Sequence, residues 1–242
     1  EAINVVYSPD GRYIAVSDKN ETVRLVDLRK NKIVSSYALP PSFWVNEIAW
    51  ERNGDALLLA AGRNSNLEKG LVEVVKMERE AVKDAGVPEL KPIHSIVAAA
   101  ANCMCIAIDP TNRHFATGSY DAISCIWDAE DMTCLRPCCT TLEDPIGSLC
   151  FNHDGTLIAG LCDLEARNTT ARKLIEVCEV STGETAFKIE AKAIPRKLAW
   201  HPSQQLLAYG GEKVPHDDRY GDSRSSSSRS EIPVTILHFQ NK

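Results

Sequence analysis

Cysteine and histidine are the residues of this sequence that could carry metal or nucleophilic chemistry. The 242-residue chain contains nine cysteines and six histidines. Cys103 and Cys105 are one residue apart, and Cys138 and Cys139 are adjacent. A structural zinc site uses a Cys-x2-Cys pair together with a second such pair, and neither group has that spacing. Residues 103 and 105 of a β-strand point to the same face, so we interpret both as core packing and predict no metal site.

The histidines and glycines give no catalytic pattern either. His153 and His201 lie in polar turns, and His238 lies in an apolar run. The sequence contains no nucleophile elbow and no metalloprotease motif. Gly210-Gly211 is an isolated pair rather than a phosphate-binding loop, and we predict a turn there. The sequence therefore predicts a protein that is not an enzyme, with no catalytic residues and no cofactor.

The composition narrows the class of protein further. Hydrophobic residues make up 44% of the chain, the formal net charge is −6, and the mean hydropathy is −0.20. No stretch approaches the roughly 20 apolar residues that a membrane-spanning helix needs, and no signal peptide is visible. The net negative charge argues against a protein whose whole surface binds nucleic acid. Most cysteines lie in apolar runs, which favours free, buried thiols and a reducing compartment.

One signature recurs five times and organises the chain. In each copy an apolar strand ends at a large residue, and a turn rich in Pro, Asp, Asn and Gly joins it to a second apolar strand. The copies are Tyr7-Ser8-Pro9-Asp10-Gly11, Trp50-Glu51-Arg52-Asn53-Gly54, Ile108-Asp109-Pro110-Thr111-Asn112, Phe151-Asn152-His153-Asp154-Gly155 and Trp200-His201-Pro202-Ser203-Gln204. Their leading residues are 43, 58, 43 and 49 positions apart, and a period of about 40–45 is typical of WD repeats.

We therefore predict an all-β, WD40-type β-propeller in a single domain. The five predicted blade units cover residues of about 1–42, 43–99, 100–145, 146–195 and 196–242. The two longer spacings imply insertions in the second and fourth units. The segments that we interpret as insertions are 64–70 with 78–86, 164–172 and, in the fifth unit, 214–230. The best helical candidate, 75–85, lies in the first insertion.

The third unit is the most typical of a blade. Its predicted strands are Cys103–Ile108, His114–Ser119, 123–128 and 132–138. The dipeptide Trp127-Asp128 is the one that names WD repeats, and Asp121 is predicted to join a tight turn to its strand. Trp-Asp is replaced by Val26-Asp27 in the first unit and by Cys178-Glu179 in the fourth, and Ala98-Ala99 stands where the usual Gly-His pair would be.

The two ends of the sequence indicate a larger ring. The first unit opens on a predicted innermost strand at 3–7, and the fifth closes on a predicted third strand at 233–239. Propellers have 4 to 8 blades. Five units could form a small ring, but we expect a larger ring whose N-terminal blades lie outside this chain.

An ordered series of motifs resembles one particular family. The series is Asn4-Val5-Val6-Tyr7-Ser8-Pro9-Asp10-Gly11, Val45-Asn46-Glu47-Ile48-Ala49-Trp50, Pro88-Glu89-Leu90-Lys91-Pro92-Ile93-His94-Ser95-Ile96, Asn102-Cys103-Met104-Cys105-Ile106, Phe115-Ala116-Thr117-Gly118-Ser119, Phe151-Asn152-His153-Asp154-Gly155, Leu198-Ala199-Trp200-His201-Pro202 and Leu206-Leu207-Ala208-Tyr209. It is similar to the WD-repeat subunits of the THO complex, and the resemblance implies that these five blades are the C-terminal five of a seven-bladed ring. The resemblance implies a non-catalytic scaffold of the nuclear THO/TREX assembly, which couples transcription to mRNA packaging and export. It implies a large helical scaffold subunit as the main partner, with weak or indirect RNA contact.

One low-complexity segment, at 219–230, lies in the last insertion. We predict an exposed loop there, because the segment lacks the apolar residues that would offset its ordering entropy. The alternative is a loop that contacts RNA or is phosphorylated. The residues that would do so are Arg219, Arg224, Ser225, Ser226, Ser227, Ser228 and Arg229.

Two other interaction roles remain open for the chain. Val26-Asp27-Leu28-Arg29 is similar to the Trp-Asp-x-Arg box by which some WD proteins dock on cullin ubiquitin-ligase adaptors, although the Trp is lost. Trp127-Asp128 is followed by Ala129-Glu130 and lacks the Arg. The other role is a histone-peptide reader, which an aromatic cage on the central channel would support. Co-purification separates these roles.

Overall fold

The computed structural model describes residues 2–18, 21–63, 68–78, 88–163, 173–192, 194–212 and 234–239. Within these ranges the chain forms β-strands and no α-helix, so none of the described residues belongs to a helix that could cross a membrane. Nineteen described strands form five antiparallel sheets, and each sheet is one blade. The predicted all-β, WD40-type propeller is confirmed.

Blades 1 to 4 have four strands each in the described residues, and blade 5 has three. Blade 1 comprises β1 (Ala2–Tyr7), β2 (Tyr13–Asp18), β3 (Thr22–Asp27) and β4 (Lys32–Ala38). Blade 2 comprises β5 (Phe43–Trp50), β6 (Ala56–Arg63), β7 (Gly70–Glu78) and β8 (Glu89–Ala99). Blade 3 comprises β9 (Cys103–Ile108), β10 (His114–Ser119), β11 (Ser124–Asp128) and β12 (Cys134–Cys138). Blade 4 comprises β13 (Ile146–Phe151), β14 (Leu157–Cys162), β15 (Leu174–Glu179) and β16 (Thr185–Glu190), and blade 5 comprises β17 (Ile194–Trp200), β18 (Leu206–Glu212) and β19 (Val234–His238).

The turns between the first and second strands are built alike in blades 1 to 4. In each, a backbone N–H donates to the carbonyl three residues earlier, as Gly11 does to Ser8 and Gly155 does to Asn152. The donor residue has a positive φ of 65° at Gly11, 58° at Asn112 and 74° at Gly155. Glycine and asparagine tolerate this backbone region. The turn residues that marked the repeats in the sequence therefore have a local structural reason.

The core of the protein lies between the blades rather than inside one of them. The first strands β1, β5, β9, β13 and β17 run side by side in chain order and form the inner edge of the arc. One cluster of buried apolar side chains fills each space between successive blades, including Leu25 with Ile48 between blades 1 and 2 and Ile126 with Leu149 between blades 3 and 4. Each blade is consequently stabilised mainly by its contacts with the neighbouring blades.

Every inner strand contains a β-bulge near its start. The residue left unpaired in the ladder is Ile3, Asn46, Met104, Gly147 or Arg196 in the five blades. A bulge inserts one extra residue and locally changes which way the side chains face. The prediction that Cys103 and Cys105 share one face is wrong for this reason. Cys103 packs in the cluster between blades 2 and 3, and Cys105 packs in the cluster between blades 3 and 4.

Two other sequence predictions need correction. The helical candidate at 75–85 is wrong at its start, because residues 75–78 extend β7 and pair with β8; residues 79–85 lie outside the described part of the chain. Gly210-Gly211 is not a turn, since both residues pair with β17 inside β18. In blade 3 the predicted β9 and β10 match the structure, whereas β11 begins at Ser124 and β12 at Cys134.

Candidate functional site

Trp127 holds the second and third strands of blade 3 together. The register of the ladder places it opposite Phe115, and the two rings stack with their centroids 5.7 Å apart. Its indole Nε1–H donates to the Thr117 hydroxyl at 2.9 Å. Trp127 is 6% exposed and Thr117 is 3% exposed, so the arrangement is a buried structural link with no access for a ligand.

The two aspartates singled out in blade 3 both organise turns. Asp121 accepts the Ile123 N–H at 3.1 Å through Oδ1. Asp128 accepts the N–H groups of Glu130 and Asp131 at 2.8 and 2.9 Å. The backbone N–H donors of Asp131 and Glu130 lower the pKa of Asp128. Asp128 therefore terminates β11 in its charged form.

Two buried glutamates were missed in the sequence, although their pattern is visible there. Each is the one charged residue in an apolar run, Leu71-Val72-Glu73-Val74-Val75 or Leu174-Ile175-Glu176-Val177-Cys178. The ladders place both at the same position of their blades. Glu73 accepts from the hydroxyl of Tyr37 in blade 1 and from that of Ser95. Burial, followed by the Glu73 charge, raises the pKa of Tyr37 to about 12.

Glu176 is bonded in the same way between blades 3 and 4. It accepts the backbone N–H of Thr141 at 2.9 Å and the Thr141 hydroxyl at 2.6 Å. It also accepts the hydroxyl of Thr185. Both glutamates are nearly inaccessible to solvent, so they act as links between neighbouring blades. A buried carboxylate is tolerated when hydrogen bonds satisfy it.

The residues considered for metal or nucleophilic chemistry are spread over the fold. The nine cysteines are free, and no three His, Cys, Asp or Glu side chains of the described residues converge on a metal-sized site. His201 accepts the Ser203 N–H through Nδ1 within its own turn. His153 lies beside Asp154, with 4.0 Å between Nε2 and Oδ2, and His238 lies at the exposed end of β19.

One charged pair links blades that are not neighbours. Lys197 follows the bulge of β17 in blade 5, and Glu47 follows the bulge of β5 in blade 2. Their Nζ and Oε1 atoms are 2.9 Å apart. The other Glu47 oxygen accepts the Ile106 N–H of blade 3. The pair therefore connects two inner strands across the central channel.

An open cleft of about 460 Å³ lies where the first turns of blades 1 to 3 meet. It is lined by Pro9, Trp50, Arg52, Ile108, Asp109 and Pro110. The Arg52 N–H donates to the Asn112 side chain, which ties the turns of blades 2 and 3 together. The cleft is therefore a concave surface with fixed walls.

The first inner strand, β1, carries an exposed apolar face, which we call the leading face. It consists of Ile3, Val5 and Tyr7, which are 45%, 58% and 63% exposed. The register aligns Val5 with Ile48 and Leu198 in blades 2 and 5, which are only 4% and 8% exposed. Those two side chains are covered by the blade that precedes theirs. The leading face thus has the shape and chemistry of a surface between blades.

The last strand, β19, carries the matching trailing face. Val234 and Ile236 are 71% and 65% exposed. The register aligns Ile236 with Leu25, Val74 and Ile126, all of which are at most 1% exposed. Each of those residues packs against the following blade. Both ends of the arc therefore present faces that a further blade would fit.

Comparison with known proteins agrees with the geometry. The family model described as "WD domain, G-beta repeat" matches residues 90–128, which run from the outer strand β8 to Asp128 at the end of β11. The chain contains a WD repeat. The repeat in sequence is thus offset from the blade in structure, because it joins the outer strand of one blade to three strands of the next.

Two curated proteins resemble this chain in sequence. THO complex subunit 3 of Arabidopsis thaliana is 36% identical over 212 residues, which are 88% of this chain and 59% of that protein. WD repeat-containing protein AAC3 of Dictyostelium discoideum is 29% identical over 214 residues, which are 88% of this chain and 40% of that protein. The resemblance to the WD-repeat subunits of THO is confirmed. The chain spans less than two thirds of the length of both relatives.

Solved structures show the same fold at low sequence identity. A chain of the mitotic checkpoint complex superposes with a TM-score of 0.69 at 18% identity and covers 87% of this chain and 59% of its own length. A chain of Kuenenia stuttgartiensis hydrazine synthase superposes with a TM-score of 0.75 at 16% identity. The match covers 99% of this chain and 63% of that chain. These likenesses establish the propeller fold alone.

Two predicted sites remain, the low-complexity segment and the segment similar to a Trp-Asp-x-Arg box. Arg219, Arg224, Arg229 and Ser225–Ser228 of the low-complexity segment lie outside the described residues. In the segment similar to a Trp-Asp-x-Arg box, Asp27 is buried and accepts the N–H groups of Arg29 and Lys30. Asp27 therefore terminates its strand, as Asp128 does in blade 3.

Proposed function

We propose that this protein is a non-catalytic docking subunit of a nuclear THO-type complex that couples transcription to mRNA packaging and export. The observation that carries the proposal is the 36% identity to THO complex subunit 3 over 88% of the chain. The structure supports a docking role, because loops on a rigid scaffold are where binding residues concentrate. Among the described residues, the groups of polar side chains that lie close together pack the blades or form turns.

We also propose that the leading and trailing faces are covered by further WD-type blades, which complete a seven-bladed ring. Support comes from the equivalent positions of the other blades, which a neighbouring blade covers. The greater length of the curated relatives supplies room for such blades. An uncovered apolar face of this kind would otherwise invite unwanted association.

Matched aspartate substitutions test this second proposal in a protein of the full length of its relatives. Val5→Asp and Val234→Asp lie on the two end faces, and Ile93→Asp lies on the outer strand of blade 2 at a similar 55% exposure. If further blades cover the end faces, the first two variants bury a charge and lose stability while Ile93→Asp does not. Equal, small effects of all three in thermal melts would show that the end faces remain open to solvent.

The partner that we propose is a large helical scaffold subunit of the complex. Stable assemblies bury on the order of 1,200–2,000 Å², so contact should extend over more than one blade. Direct contact with RNA should be weak, because the chain carries a net charge of −6.

Co-expression with candidate helical subunits, followed by size-exclusion chromatography, tests this pairing. Co-elution of the two proteins at moderate salt, without added RNA, is the expected result. Co-elution that is lost on nuclease treatment would contradict a direct protein contact. Stable assembly with a cullin adaptor or a histone tail instead would overturn the assignment.

A further inference from the structure

Two cysteines meet at the surface between blades 3 and 4. Cys139 follows β12 at the end of blade 3, and Cys178 lies in β15 of blade 4. Their sulfur atoms are 3.9 Å apart, and the Cys139 backbone N–H donates to the Cys178 sulfur at 3.1 Å. We propose that Cys139 and Cys178 form a peroxide-reactive thiol pair that closes reversibly to a disulfide between the two blades.

The backbone holds Cys139 against its partner. Cys139 has a φ of +49°, a left-handed conformation that non-glycine residues rarely adopt and that persists only when the surroundings fix it. Gly160 of blade 4 leaves the necessary space, since a Cβ there would come within 2.8 Å of the Cys139 sulfur. The Cys139 thiol also reaches the Glu176 carbonyl at 3.8 Å. Two blades therefore contribute to a single arrangement that brings the sulfurs together.

The local electrostatics distinguish Cys178 from other cysteines of the chain. Its pKa is lowered, first by the Cys139 thiol and also by the Cys139 N–H, although burial and the Glu176 carboxylate oppose this. Burial instead raises the pKa of Cys150 and Cys162. The thiolate is the reactive form of cysteine, so Cys178 is the expected nucleophile and Cys139 the resolving thiol.

The reaction balances with a peroxide as the two-electron oxidant. The Cys178 thiolate attacks one peroxide oxygen, the O–O bond breaks, and a sulfenic acid and hydroxide form. The Cys139 sulfur then attacks the Cys178 sulfur, the S–O bond breaks, and water leaves as the disulfide forms. The Cys139 thiol proton passes to the departing hydroxyl group to make that water, and the proton that Cys178 lost on ionising neutralises the hydroxide from the first step. In total, two thiols are oxidised and one hydrogen peroxide becomes two waters.

Access to the pair requires a local opening of the connection between the blades. Cys139 and Cys178 are fully buried, but Thr140, directly after Cys139, is exposed. Loops and their ends open locally with less free energy than core strands. A molecule as small as hydrogen peroxide can then enter, whereas a bulky alkylating reagent should react slowly.

Peptide mapping of the native protein after treatment with hydrogen peroxide tests the proposal. The expected result is a cross-linked Cys139–Cys178 peptide that dithiothreitol removes. Cys178→Ser should abolish it, and Cys139→Ser should leave a sulfenic acid at Cys178 that a selective probe traps. Cys162→Ser is the matched control, because Cys162 is buried in the same blade, and the cross-link should persist in that variant.

The wild-type protein alone also decides the question if a variant fails to fold. At low peroxide Cys178 should be oxidised before Cys162, because the Cys178 sulfur accepts the Cys139 N–H and its pKa is lowered, whereas burial raises the pKa of Cys162. The proposal is overturned if Cys139 and Cys178 keep their thiols at a peroxide dose that oxidises the exposed Cys134. It is equally overturned if the cross-link appears only in denaturant.

Discussion

Removal of the hydrogen bond between Trp127 and Thr117 should show how blade 3 is held together. In Trp127→Phe the aromatic ring can still stack on Phe115, but the Thr117 hydroxyl loses the donor that lies 2.9 Å away. A buried polar group without a partner costs about 1–3 kcal/mol. The smaller ring adds roughly 1 kcal/mol of lost packing. We expect a total loss of about 2–4 kcal/mol in the free energy of unfolding.

The double variant with Thr117→Val separates the two contributions. Thr117→Val alone is nearly isosteric and leaves the indole N–H unpaired, so it should cost about 1–3 kcal/mol. With both changes no polar group is left unsatisfied, and the double variant should lose less stability than the sum of the single variants by about 0.5–3 kcal/mol. Urea denaturation followed by circular dichroism measures this without depending on tryptophan fluorescence. Additive losses would refute the role that we assign to the hydrogen bond.

Three further predictions concern a buried carboxylate, a charged turn and a glycine turn. Glu176→Gln should lower stability by about 1–3 kcal/mol, because an amide NH2 would face hydroxyl donors; unchanged urea midpoints would contradict this. The pKa of Asp128 is lowered from 3.8, so its stabilising effect is present above that pH and is lost as the pH falls through its folded-state pKa. Asp128→Asn should therefore reduce stability at pH 7 and weaken the acid dependence of thermal melts below pH 4, and parallel wild-type and variant pH profiles would be the opposing result. Gly155→Ala should cost more than Gly11→Ala, since both require positive φ but only the Gly155 variant places a Cβ 2.5 Å from the Asp109 carboxylate; equal melting temperatures would show that the contact relaxes freely.

The sequence was most informative where local chemistry decides the structure. The strands Cys103–Ile108 and His114–Ser119 follow directly from apolar runs on either side of a Pro-Thr-Asn turn. The β-bulge at Met104 was not predictable in this way, because Cys103–Ile108 is apolar at every position and shows no alternation that a bulge would interrupt. The bulge shifts the alternation of side chains by one residue. The prediction that Cys103 and Cys105 share one face is wrong because it did not include this shift.

Features that depend on two distant segments were also missed. Glu176 appears in the sequence as a charge in an apolar strand, but its partner Thr141 lies in the segment that connects blade 3 to blade 4. The Glu47–Lys197 pair joins residues 150 positions apart, and neither residue carries a signal of the other. Hydrophobic periodicity indicates which residues are buried, but it does not indicate which residues they contact.

Affinity purification of the full-length protein from nuclear extract tests the central claim most directly. A docking subunit of a THO-type complex should recover the other THO subunits in stoichiometric amounts, and nuclease treatment should not release them. Recovery of a cullin adaptor, of histones or of a metabolic enzyme, with no THO subunit present, would contradict the claim.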